Sequence, residues 1–136
     1  MMIICSALVT HTAPGWLIDL SRNTRLRSLV IELEYLSPHA DDLDWVLQIL
    51  SRVVSVHIAH VTVRIACWAS YAGPYGLDWP AIDAILMQPQ FANLKQLTVT
   101  TGGGIPWLQR PTFPQWLRAQ LPQCQARRIL FVIVDY

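Results

Sequence analysis

Charge is what this chain has least of. Lys, Arg, Asp and Glu make up 14% of its 136 residues, where an ordinary soluble domain carries about 25%. With hydrophobic residues at 53%, intrinsic disorder is excluded, since disorder needs low hydrophobicity and high charge. Ten basic residues stand against nine acidic ones, a net charge of +1. That excludes the strongly basic footprint of a nucleic-acid binder. Long apolar runs are also lacking. A membrane span needs about 20 such residues, and the longest candidates, Met1–Val9 and Ile129–Val134, are far shorter. Met1–Val9 has no basic flank, and His11-Thr12-Ala13-Pro14 is a poor cleavage site, so it reads as a buried strand and not a signal peptide. Cysteine is scarce and unpaired in pattern: Cys5, Cys67 and Cys124 form no C-x-x-C. A disulfide framework or zinc site is therefore not expected, and buried free thiols in a reducing, cytoplasmic compartment are.

Motifs that carry chemistry are missing too. Gly102-Gly103-Gly104 follows a strand pattern, but Ile105-Pro106-Trp107 comes next, with no Lys and no immediate helix, so it is not a phosphate loop. There is no G-x-G-x-x-G and no G-x-S-x-G. His57 and His60, three apart in an expected strand, would point to opposite faces, so they make no metal pair. Asp41, Asp42 and Asp44 are explained by helix capping and need no metal. No catalytic residue, metal site or cofactor is expected.

Repetition is present. Leu26, Leu29, Ile31 and Leu33 fit L-x-x-L-x-L-x-L; Val53, Val56 and Ile58 begin the same way, as do Leu94, Leu97 and Val99. Weaker copies lie at Ile4, Ala7 and Val9, and at Ala126, Ile129, Phe131 and Ile133. The alternation within each is the period of a half-buried strand. A helical segment opening with Trp precedes each later strand: Trp16–Leu20, Trp45–Leu50, Trp79–Leu86 and Trp116–Leu121. These Trp residues return at intervals typical of solenoid repeats, and each is expected to wedge between neighbouring units. Asp78 and Pro80 suit the start of the third helix, Pro89 its end, and Pro114 and Pro122 the two ends of the fourth. Ser70–Gly76 and Thr101–Pro114 read as turn-rich loops.

The expected fold is thus α/β: strand–helix units forming a parallel sheet, a short leucine-rich-repeat-like solenoid over residues 1–136 as one domain. The alternative is a small doubly wound α/β domain, binding a ligand or hydrolysing one at a loop beside His57 or Cys67.

Leu26-Arg27-Ser28-Leu29-Val30-Ile31-Glu32-Leu33, Leu94–Val99, Asp78–Leu86 with Pro89–Leu94, and Leu121-Pro122 through Val132 together resemble the repeat region of fungal F-box-type proteins with degenerate leucine-rich repeats. The resemblance implies a non-enzymatic protein-interaction module, the substrate-recognition part of such a protein. Two departures stand beside it. The Asn that ordinarily follows the pattern is replaced by Glu34, Val61 and Gly102, and the stretch ahead of Leu26 is too short for an F-box. An excerpt from a longer stack is therefore expected, with self-association through its apolar strand edges.

On that fold the expected binding rows are Val30, His57 and Thr98; Glu32, Ala59 and Thr100; and Arg27, Val54 and Lys95. Of these, Arg27, Val30, Glu32, His57, Lys95, Thr98 and Thr100 are the candidate contacts for a protein partner. The mixed, mildly polar rows suit neither nucleic acid nor membrane.

Overall fold

The computed structural model describes residues 2–9, 24–36, 44–65, 78–101 and 112–134. They form β1 (Met2–Val9), β2 (Ser28–Leu36), α1 (Asp44–Ser51), β3 (His60–Ile65), α2 (Trp79–Ile85), a 3-10 turn (Pro89–Phe91), β4 (Gln96–Thr101), α3 (Thr112–Gln120), α4 (Pro122–Ala126) and β5 (Leu130–Val134). The first expected helix (Trp16–Leu20), Asp41, the Ser70–Gly76 loop and the glycine triplet lie outside these residues. The expected loop from Thr101 to Pro114 ends early, because α3 already begins at Thr112.

The five strands are parallel and lie in the order β1-β2-β3-β4-β5. The order never reverses, so the described sheet has no switch point of the kind a doubly wound fold uses. Parallel strands joined by right-handed crossovers in one direction place their helices on one face. Accordingly α1 packs beside α2, and α2 beside α3 and α4.

The core lies between those helices and the sheet, and it is built in rows. Leu29, Val61, Leu97 and Leu130 are register partners, and so are Ile31, Val63, Val99 and Val132. All but the partly buried Val132 are buried. Three residues ahead of the first row stand Leu26, Ile58 and Leu94, also buried. The helices add Val46, Ile49, Leu50, Trp79, Ile82, Leu86, Leu117, Leu121 and Cys124. Each helix has only 5 to 9 residues, below the length at which an isolated helix persists, so packing on the sheet holds them.

Two expected alignments are corrected. The third repeat is not Val53-x-x-Val56-x-Ile58. The strand begins at His60, and the true copy is Ile58-x-x-Val61-x-Val63. Val53 is buried two residues beyond the end of α1, whereas Val56 is 53% exposed in the turn before the strand. The last strand is also out of the expected phase. Leu130 and Val132 take the core-side rows, and Phe131 and Ile133 lie about half-exposed. A slip of one residue exchanges the two faces of a strand.

The cause of that slip lies just ahead of β5. Arg128 has a positive φ of 59°. The Ile129 amide donates to the Cys124 carbonyl (3.2 Å) and the Arg128 amide to the Gln125 carbonyl (3.0 Å). This bond pair closes a helix C-terminus around a left-handed residue, a place that glycine ordinarily takes. Replacing Arg128 by Gly should therefore raise stability by about 0.5–1 kcal/mol, read as a higher urea midpoint at unchanged slope.

Helix starts follow the expected chemistry. The Asp78 carboxylate accepts from the Ala81 amide at 3.2 Å, with Pro80 in the first turn of α2. Pro114 lies in the first turn of α3, and Pro122 opens α4 immediately after α3 ends. Trp79 is buried in the core, and Trp116 packs partly buried against it. Trp16, and the side chain of Trp45, fall outside the described set.

Candidate binding surface

The sheet face away from the helices carries three rows. Ser28, His60 and Gln96 are partners at the strand starts. Val30, Thr62, Thr98 and Phe131 form the middle row. Glu32, Arg64, Thr100 and Ile133 form the next. The expected rows thus change membership: Thr62 stands beside Val30 where His57 was expected, and Arg64 beside Glu32 where Ala59 was expected. Val30 and Thr98 are only 6% and 9% exposed. They form the floor of this face and offer little surface. Thr98 Oγ1 is also engaged, accepting from the Gln96 side-chain amide at 2.9 Å. Thr100 is half-buried, and His60, Arg64, Phe131 and Ile133 are exposed.

The other three expected contacts meet elsewhere. Arg27, His57 and Lys95 line one open cleft of about 380 Å³ together with Ala59 and Asn93. Aligning the repeats on their buried leading residues, Leu26, Ile58 and Leu94, explains this meeting. Arg27, Ala59 and Lys95 directly follow those residues, one per unit. His57 and Asn93 directly precede two of them. The cleft is therefore made of two columns that flank the repeat's first apolar position. The misplaced third repeat hid this, because it put Val54 where Ala59 belongs and left Asn93 without a counterpart.

Backbone bonds fix the columns. The Ala59 amide donates to the Arg27 carbonyl (2.8 Å), and the Lys95 amide to the Ala59 carbonyl (2.8 Å). The buried Ser55 hydroxyl donates to the Leu26 carbonyl (2.7 Å) and accepts from the His57 amide (3.1 Å). The Asn93 side-chain amide donates to the Val56 carbonyl (2.9 Å). These two side chains tie the turn at residues 56–57 to both neighbouring units. They do the work that an Asn ladder does in regular repeats.

Among the described residues, the lining of the cleft holds two cations, an imidazole, an amide and a methyl group. Among the described residues there is no group of three His, Cys, Asp or Glu placed to hold a metal. No helix among them is long and apolar enough to cross a membrane.

The one buried thiol described sits far from any such use. Cys124 is fully buried in the core. Burial, then the Asp83 carboxylate beside it, push its thiol far above the ordinary value of 9.0. The neutral thiol of the folded state is the unreactive form. In native buffer at pH 8, maleimide labelling followed by peptide mass analysis should leave Cys124 unmodified, and denaturant should expose it. The pKa is raised on folding, so the unfolded chain loses this proton first. Its contribution to stability is complete below about pH 9 and is lost as pH rises beyond that, a slope that Cys124→Ala should remove.

Compared with family models, with curated proteins and with solved structures, the chain matches none.

Proposed function

We propose that this protein is a non-enzymatic protein-interaction module, a short solenoid of leucine-rich-repeat type that takes its partner on the sheet face away from the helices. The observation that carries this reading is the strictly sequential parallel sheet, with one helical connection covering one face of each described unit. Such a sheet presents a second face on which, among the described residues, His60, Arg64, Phe131 and Ile133 are exposed. The resemblance to the repeats of F-box-type proteins extends the proposal to recognition of another protein as a substrate, in the cytoplasm. No described strand pairs with the outer edge of β5, and this edge, beside the half-exposed Phe131 and Ile133, supports association with a second copy of the chain. Light scattering in dilute buffer should then give a mass above 15.4 kDa, and a clean monomer would refute that part.

The test of the module is affinity capture from native cell extract with the full chain. Wild type is compared with His60→Glu/Ile133→Glu on the open face and with Arg52→Glu on the helical side. Proteins retained by wild type and by the helical-side variant, but lost with the face variant, support the proposal. Retention that ignores the face variant, or no retention at all, overturns it.

A further inference from the structure

We infer that the cleft of Arg27, His57, Ala59, Asn93 and Lys95 is a binding site for an acidic peptide segment, in which two carboxylates spaced one residue apart engage Arg27 and Lys95. The inference rests on the interaction-module reading and names the chemistry of its partner. Three observations carry it. First, Arg27 and Lys95 are both exposed and line one hollow, and no described carboxylate lines it with them. Among the described residues neither has an ion-pair partner. In a chain with so few charges, two exposed cations lining a single cleft stand out. Second, they occupy the same repeat position two strands apart, with Ala59 between them. Neighbouring strands lie about 4.8 Å apart, so the two backbones are about 10 Å apart. Ala59 contributes only a methyl group there, and the hollow exists because that middle residue is short. Third, the mouth carries neutral polar groups, the His57 imidazole and the Asn93 amide, suited to the backbone of an extended peptide.

The spacing fits the ligand. In an extended peptide, side chains two residues apart lie on one face at about 6.8 Å. With their own flexible arms, two such carboxylates reach both cations as the peptide runs across the strand ends from β2 to β4. Arg27 can grip a carboxylate with its planar fork, and Lys95 supplies a point charge. A nucleic acid fits less well, because it needs a longer cationic track and stacking aromatic rings, and no described Trp, Tyr or Phe lines the cleft.

The experiment uses the full chain and a fluorescein-labelled peptide, Gly-Ser-Glu-Ser-Glu-Ser-Gly, followed by anisotropy at low salt. The expected result is saturable binding that weakens as salt is raised. Arg27→Glu/Lys95→Glu should weaken it at least about tenfold. Ala59→Leu should do likewise without changing any charge, because it fills the hollow; far-ultraviolet circular dichroism checks that these variants are folded. The same peptide with Gln in place of Glu should not bind. No saturation, equal binding by Ala59→Leu, or equally tight binding of an oligothymidine of the same charge would overturn the inference. If the peptide fails while the face-dependent capture above succeeds, this inference falls and the module stands. Peptide binding without face-dependent capture would instead leave the cleft as the binding site and remove the open face.

Discussion

Trp79→Ala is expected to cost about 3–5 kcal/mol, the range for removing a buried large aromatic side chain. Trp79 is 1% exposed at the first position of α2. That helix touches α1 on one side and α3 and α4 on the other. The void left by alanine would therefore open in the buried core beside the neighbouring helices. In a domain whose total stability is about 5–15 kcal/mol, such a loss brings the chain close to unfolding at room temperature. Urea denaturation followed by circular dichroism measures it. Trp79→Phe keeps most of the buried area and should lose much less. Equal losses for the two variants would mean that shape, and not buried area, sets the cost.

The second large effect is polar. Asp83 is 2% exposed within α2, and its carboxylate accepts from the Gln123 amide (3.1 Å) and the Cys124 amide (2.9 Å). Those are free N–H groups in the first turn of α4, whose own cap residue Leu121 has no side-chain acceptor. One unit therefore caps the helix of the next. A negative charge there is favoured both by hydrogen bonding and by the helix dipole. The residue that ends α4 returns the contact. Arg127 donates to the carbonyls of Leu86, Phe91, Ala92 and Leu94 at 3.2–3.4 Å, where α2 and the 3-10 turn end. Asp83→Ala leaves two amides without an acceptor and should cost about 2–3 kcal/mol. Arg127→Ala removes longer, less buried bonds and should cost less. Thermal melts of both variants decide the order; a larger loss for Arg127→Ala would contradict it.

Much of this was legible in the chain. The Asp78 cap, the prolines at helix ends, the burial of Trp79 and the repeats at Leu26 and Leu94 all follow from local pattern and propensity. The polar clasp was not legible. Asp83 and Arg127 are 44 positions apart, and nothing around Asp83 distinguishes it from a solvated helix residue. The cleft was half legible: Arg27, His57 and Lys95 were named for a different surface, because Val53, Val56 and Ile58 imitated a repeat that begins at Ile58.

The sequence by itself determined the class of the fold, the number of its units and the residues available to its core. A chain with so little charge and an apolar residue every second or third position must bury strands and helices together. The tertiary structure decided which of two equally apolar phases each strand takes. Ile129 to Val134 is apolar on both faces, so hydrophobicity could not choose between Leu130 and Phe131 as the inward residue. Pairing with Leu97 and Val99, and the left-handed turn at Arg128, made that choice. The same register brought Arg27, Ala59 and Lys95 into one line. The meeting of their charges depends on alignment between distant strands, and that alignment is a property of the sheet and not of any one segment.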